Sequence, residues 1–271
     1  MIDNLINMFA YEFMRHALIA GTFAAIISGT VGYFVIMRNL SFASHALGHI
    51  GFAGASGALL ISLPPIVGQL ILTLIAAIGI GALGDRISKN DMVIGIILSF
   101  CLGLGTLFLH FYGGYAGQAM IILFGNLLGV SNQDLTLMMW STILSLVAMS
   151  IISKKLLFAS LEPELAEAKG MSLFWISIIF VVIMAIAVTI ASQVVGIILV
   201  FTLVIGPAAI AIQWTQRFWT GISLSAVLSI LIVWIGLILS YMTDWPISFW
   251  ISAIVFVMYL LSSLGARRLN I

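Results

Sequence analysis

The run SFASHALGHIGFAGASG, residues 41–57, sets His45 and His49 four positions apart among small and apolar residues. Four positions is close to one α-helical turn, so both imidazoles share a helix face. Neutral imidazole is a nitrogen donor for zinc and neighbouring transition metals, and as a titratable base it can also carry protons. Polar rings inside a bilayer are costly and usually face a cavity or a partner, so the pair points to a bound polar or cationic species. The plainer alternative is packing, with each ring bonded to a backbone carbonyl or to a serine such as Ser41, Ser44 or Ser56. The spacing favours binding.

The bilayer follows from composition: 63% hydrophobic residues, 7% charged and a mean hydropathy of +1.26 describe a polytopic membrane protein. The single Cys101 permits no internal disulfide, and the opening MIDNLINMFAYEF holds two acids and no base, unlike a cleaved secretory signal. Apolar stretches near 13–37, 43–63, 65–84, 92–110, 135–153, 172–191, 194–213, 219–241 and 246–264 predict an all-α bundle of about nine spans, with eight to ten the range. No soluble domain fits between them, so residues 1–271 are expected to form one transmembrane domain. Residues 117–130 are apolar but short, and glycines at 113, 114, 117, 125 and 129 interrupt this region, which reads as a re-entrant half-helix.

Basic loops orient the spans. Arg38, Arg86 with Lys89, Lys154 with Lys155, Lys169, Arg217 and Arg267 with Arg268 fall where nine spans with an outer N-terminus place inner loops. His110, the turn from Tyr112 to Tyr115, Asp134 and Asp244 then lie outside. A tenth span through 117–130 would reverse everything before it. Trp214, Trp219, Trp245 and Trp250 near span ends fit an aromatic belt, and His16 and His110 read as interfacial. The 13 methionines are scattered and suit core packing.

The inner stretch KKLLFASLEPELAEAKGM, residues 154–171, predicts a short cytoplasmic helix. Pro163 suits a first helical position behind Glu162, the residues from Glu164 to Lys169 are strong helix formers, and Gly170 supplies a left-handed stop. Leu161, Leu165 and Ala168 would form an apolar stripe, packed on the protein's own spans or docked in a partner's groove. Within the span 194–213, Gly206-Pro207 predicts a helix break, because proline removes a donor and blocks the bond to the Leu203 carbonyl.

Enzyme motifs are missing from the sequence. Gly79 to Gly84 lacks the lysine of a nucleotide phosphate loop, there is no HExxH, and four histidines are too few for a membrane di-iron site.

Four segments together resemble the membrane permeases of metal-cation ABC importers, the zinc and manganese uptake group: RNLSFASHALGHIGFAG, DMVIGIILSFCLGLG, ILFGNLLGVSNQD, and LEPELAEAKGM followed by QVVGIILVFTLVIGPAAIA. The likeness runs from about Ala17 to Arg217 and weakens in the last two spans. It implies a non-catalytic permease of the bacterial inner membrane, paired as a homodimer, with ATP on a separate cytoplasmic ABC ATPase and an outer substrate-binding protein delivering the metal. No permanently bound cofactor and no nucleic acid are implied. The helix at about 160–170 would be the coupling helix, seating Glu162, Pro163, Glu164, Leu165, Ala168 and Gly170 in the ATPase.

Many family members carry aspartate where this chain has His45 and keep the histidine at position 49. Two imidazoles per chain lean towards zinc as the transported cation, and carboxylate oxygen would suit manganese. In a two-fold dimer four histidines could surround one ion, near zinc's tetrahedral preference. A manganese or iron ABC permease is the nearest alternative. An ATPase-independent carrier or channel, using the pair for proton coupling, is the rival class.

Overall fold

A computed structural model describes residues 11–83, 90–112 and 116–268, with the backbone alone for 116, 118, 119 and 266–268. Residues 1–10, Gly84, Arg86, Lys89, Gly113, Gly114, Tyr115 and the side chains of Arg267 and Arg268 lie outside the described parts. The described residues form eleven α-helices and no strand: α1 Glu12–Met37, α2 Ser41–Leu60, α3 Pro65–Gly81, α4 Asp91–Tyr112, α5 Ala116–Phe124, α6 Asn132–Leu161, α7 Pro163–Ala168, α8 Leu173–Val195, α9 Val200–Trp214, α10 Phe218–Thr243 and α11 Ile247–Arg268. Each apolar stretch read from the sequence contains a helix. Six of them, α1, α4, α6, α8, α10 and α11, are long and apolar enough to cross a membrane.

Helices α3 and α9 are shorter, at 17 and 15 residues. Helix α2 has 20 residues, but alanine, glycine, serine and histidine dilute its apolar character. Burial explains why that is tolerated: α2 is enclosed by α3, α4, α8 and α9, so it meets protein rather than lipid. Small residues make the enclosure tight, because they let helix backbones approach where bulky side chains would not. A Cβ on Gly54 would collide with the Gly68 carbonyl of α3, one on Gly105 with the ring of Phe52, and one on Gly48 would come 2.8 Å from Val200 Cγ1.

The burial is uneven. The central windows of α1 and α8 are 67% and 61% buried, and those of α4, α6 and α11 are 17%, 22% and 22%. Helices α1 and α8 therefore form the core, and the other three show apolar flanks such as Phe100, Leu144 and Leu261.

Most described basic residues gather at one end. Arg38 donates to Ser177 Oγ at 3.0 Å and lies 5.6 Å from the Phe180 ring of α8, and Lys169 sits 4.7 Å from the Phe158 ring of α6. Arg217 precedes Phe218, which packs on Tyr33 and Phe34 near Arg38. The opposite end carries Asp134 and Asp244. Arg15, next to Glu12 and His16 in α1, is the exception there.

Residues 117–130 hold no helix long enough to cross a membrane on its own. Helix α5 has nine residues, about 14 Å at 1.5 Å per residue, under half of an apolar core. A 3-10 turn at Leu127–Gly129 follows, with Asn126 Oδ1 accepting from the Gly129 amide at 3.2 Å.

The break in the stretch 194–213 lies elsewhere than the proline predicts. Helix α9 runs through Gly206 and Pro207 without interruption, and the chain breaks upstream at Gly196. One lost backbone bond at Pro207 is absorbed by packing, with Gly206 against Val255 of α11. Gly196, at φ +80, stands against Gly125, also at φ +80. A Cβ on Gly125 would lie 2.6 Å from the Gly196 nitrogen, so both positions require glycine for conformation and for closeness. Amides of Ile198 and Ile197 donate to the carbonyls of Leu123 and Ile122 at 3.2 and 3.4 Å, and that of Asn126 to Gln193 at 3.4 Å. The two broken ends thus satisfy one another's orphan groups.

Candidate metal site

Helix α2 begins at the basic end, three residues after Arg38. Along its axis His45 stands about 6 Å and His49 about 12 Å from Ser41, which puts His49 near mid-helix. Every residue from Ala43 to Ser56 is buried except these two. Both histidines are half-open on one side of an otherwise enclosed helix.

The rings meet edge to face, with centroids 4.5 Å apart and planes at 80°. Phe201, in the first turn of α9, closes one side at 5.7 Å from the His45 ring. The Gly196 break positions that phenylalanine: because α9 restarts at Val200, its first turn lies against Gly48 and His45.

Packing would pair the imidazoles with serine or carbonyl, and the structure does not supply that for His49. Its Nδ1 is buried and has no hydrogen-bond partner among the described residues. Ser56, one of the partners expected, spends its hydroxyl on the carbonyls of Phe52 and Ala53 at 2.7 and 3.2 Å. A buried polar nitrogen left bare costs about 1–3 kcal/mol, which a ligand binding there would offset.

One chain does not complete a coordination shell. Among the described residues no three His, Cys, Asp or Glu side chains come together. Two imidazoles are half of a tetrahedral set, and a transition metal here needs donors from outside this protomer.

The other residues singled out by the sequence fall apart from the pair. Helix α7 starts with Pro163 at its first position behind Glu162, and Gly170 at φ +76 ends it, with the Met171 amide donating to the Ala166 carbonyl at 3.0 Å. Its buried residue is Ala166, because the helix turns that side towards α6 and α8. Leu161 and Leu165 stay 64% and 53% exposed, and Glu164 and Ala168 are exposed as well. The stripe therefore does not pack on the protein's own spans. Gly206 and Pro207 lie inside α9, away from α2, against α11 and the core.

Sequence reading missed one polar cluster. Gln69 of α3, 2% exposed, donates from Nε2 to Ser192 Oγ at 2.6 Å and accepts at Oε1 from Gln193 Nε2 at 3.2 Å. Thr73 and Thr189 pair through their hydroxyls at 3.1 Å one turn below. Two glutamines inside apolar runs were the available signal.

Comparisons with known proteins agree in kind. The ABC 3 transport family matches residues 10–266. A manganese transport system membrane protein, MntC of Listeria monocytogenes, is 31% identical over 240 residues, covering 87% of this chain and 84% of that protein. The high-affinity zinc uptake system membrane protein ZnuB of Haemophilus influenzae is 27% identical over 235 residues, covering 86% and 90%. The solved structure of PsaBC from Streptococcus pneumoniae in complex with Fab superposes with a TM-score of 0.84 at 30% identity, covering 97% of this chain and 95% of that one.

Proposed function

The chain belongs to the ABC 3 transport family, and from that premise we propose that it is the permease of a bacterial inner-membrane importer whose cargo is a divalent transition metal, zinc first. As a permease it is a transport component and not an enzyme, and the ATPase is a separate subunit. Family membership displaces the ATPase-independent carrier. The metal named by relatives is manganese in MntC and zinc in ZnuB, so the preference for zinc rests on His45 and His49, nitrogen donors where carboxylate would suit manganese.

In this reading two copies pair with their α2 openings facing, four imidazoles converge on one ion, and each ring exchanges its place beside the other for a metal bond. The observation that carries it is the pair itself, two half-open imidazoles on an otherwise buried stretch of helix, with His49 Nδ1 buried and without a hydrogen-bond partner among the described residues. The basic end is cytoplasmic by the positive-inside rule, the chain crosses nine times within one transmembrane domain, and α5 re-enters from outside. The exposed Leu161 and Leu165 seat α7, with Glu162, Pro163, Glu164, Ala168 and Gly170, in the ATPase. Closure of the ATPase then moves the spans as rigid bodies and alternates access to the ion, delivered by an outer binding protein.

The test is uptake by the complete importer in vesicles. His49→Ala should abolish zinc transport and metal-stimulated ATP hydrolysis while the complex still assembles, and unchanged transport would return the pair to packing.

A further inference from the structure

The end of the protomer opposite its basic residues holds a cavity that the histidines do not line. It measures about 190 Å³ and lies among α2, α3, α5, α6 and α8. Its polar wall is Gln69, Asn126, Asp134, Ser192 and Gln193, and the remainder is apolar or glycine. The glycine crossing at Gly125 and Gly196 holds α5 against α8 here, which brings Asn126 and Gln193 to the same space.

The hydrogen-bond inventory leaves capacity to spare. A primary amide offers two N–H groups and two lone pairs, and Gln69 uses one N–H and one lone pair on Ser192 and Gln193. Asp134 caps α6, accepting from the Ser131 amide at 3.2 Å and the Ser131 hydroxyl at 2.7 Å, both on Oδ2. Its Oδ1 accepts no bond among the described residues. The polar wall runs from buried Gln69 and Ser192 through half-buried Gln193 and Asp134 to exposed Asn126, and with open hydrogen-bond positions and this volume it is a place for water, at about 30 Å³ per molecule.

The donors are one carboxylate with neutral amide and hydroxyl groups, without imidazole or thiol. Such a set is too poor to strip a divalent cation of its shell, and it is suited to hold the shell itself, as cations that keep several waters are held. The negative charge of Asp134 gives the chamber its sign.

We propose that this cavity is a staging chamber for a hydrated divalent cation, held through its waters by Asp134, Asn126, Gln193 and Gln69 before dehydration at His45 and His49. Helix α2 stands between the chamber and the pair: Gln69 Cγ and Nε2 lie 2.8 and 3.0 Å from where a Cβ on Gly51 would stand, and Gly51, two residues along α2, projects about 200° round the helix from His49. The direction of flow rests on the importer reading above, whereas binding in the chamber does not.

The experiment uses the complete complex carrying His45→Ala and His49→Ala, with Mn²⁺ alone as the paramagnetic probe and water-proton relaxation as the readout. The expected result is one weak Mn²⁺ per protomer that keeps its waters, weakened about tenfold when Asp134→Asn and Gln193→Leu are added, as the loss of one or two charge-assisted bonds implies. Asparagine keeps an oxygen for the α6 cap, and unchanged melting of the complex separates lost binding from lost folding. No Mn²⁺ in the double-histidine complex, or Mn²⁺ indifferent to Asp134 and Gln193, overturns the chamber and leaves the importer reading standing. Absence of ATP-driven metal uptake by the unaltered complex would instead sink the importer reading alone.

Discussion

Two polar regions lie within the same bundle, and they are built oppositely. Between α3 and α8, Gln69, Ser192, Gln193, Thr73 and Thr189 bond to one another across the helices. On α2, His49 keeps a buried nitrogen bare, and its nearest ring is another imidazole. Interhelical bonds of the first kind contribute about 0.6 kcal/mol each and hold helices in register. A buried nitrogen left bare, as on His49, costs stability that a ligand bound there would offset. In the proposed function the imidazoles are the ligating end, and the amide cluster is scaffold with room for water.

That contrast can be broken most severely at His49. With alanine there, zinc uptake by the complete importer should fall at least about a hundredfold while thermal unfolding barely moves, because no native hydrogen bond is lost. A large drop in melting temperature with normal uptake would reverse the roles of the two regions.

A second break is remote from both. Leu165→Asp on α7 should reduce recovery of the ATPase with the permease by about tenfold or more and leave the permease's own melting unchanged, since Leu165 is 53% exposed. Copurification with the ATPase measures it. Unaltered recovery would mean that α7 is only a loop helix.

Donor chemistry sharpens the comparison more finely. His45→Asp replaces nitrogen by oxygen at a half-open position and should shift the zinc-to-manganese uptake ratio towards manganese by about tenfold, with transport retained. Competition uptake with both metals reads it directly.

The smallest effect belongs to the scaffold. Thr73→Val keeps shape and removes the hydroxyl pair with Thr189, which should cost about 0.5–1 kcal/mol of stability and leave metal uptake unchanged. Chemical unfolding in detergent gives the first quantity and vesicle uptake the second.

Much of this was legible in the chain, for physical reasons that differ by element. Long apolar runs marked the helices, six of them long and apolar enough to cross, because lipid demands such runs, and the glycines around 117–129 marked where the chain shortens to a nine-residue helix. Pro163 and Gly170 bracketed α7 by local conformational preference. The spacing of His45 and His49 gave their common face. What failed was long-range: Gly206-Pro207 looked like the stronger breaker, yet the break fell at Gly196, since its cause is a crossing with Gly125 far along the chain. Which side of α7 faces the protein, that of Ala166, was not legible either, because it depends on how α7 sits on its neighbours. The partnership of Gln69 with Ser192 and Gln193 is tertiary too, and two isolated glutamines do not announce each other.

The zinc K-edge X-ray absorption spectrum of the purified complete complex, loaded with zinc alone, tests the account where it is most exposed. The account predicts one zinc per two permease chains with imidazole nitrogens at about 2.0–2.1 Å, lost when His45 and His49 are both alanine. An unchanged spectrum in that double variant, or an oxygen-only shell in the unaltered complex, would contradict it.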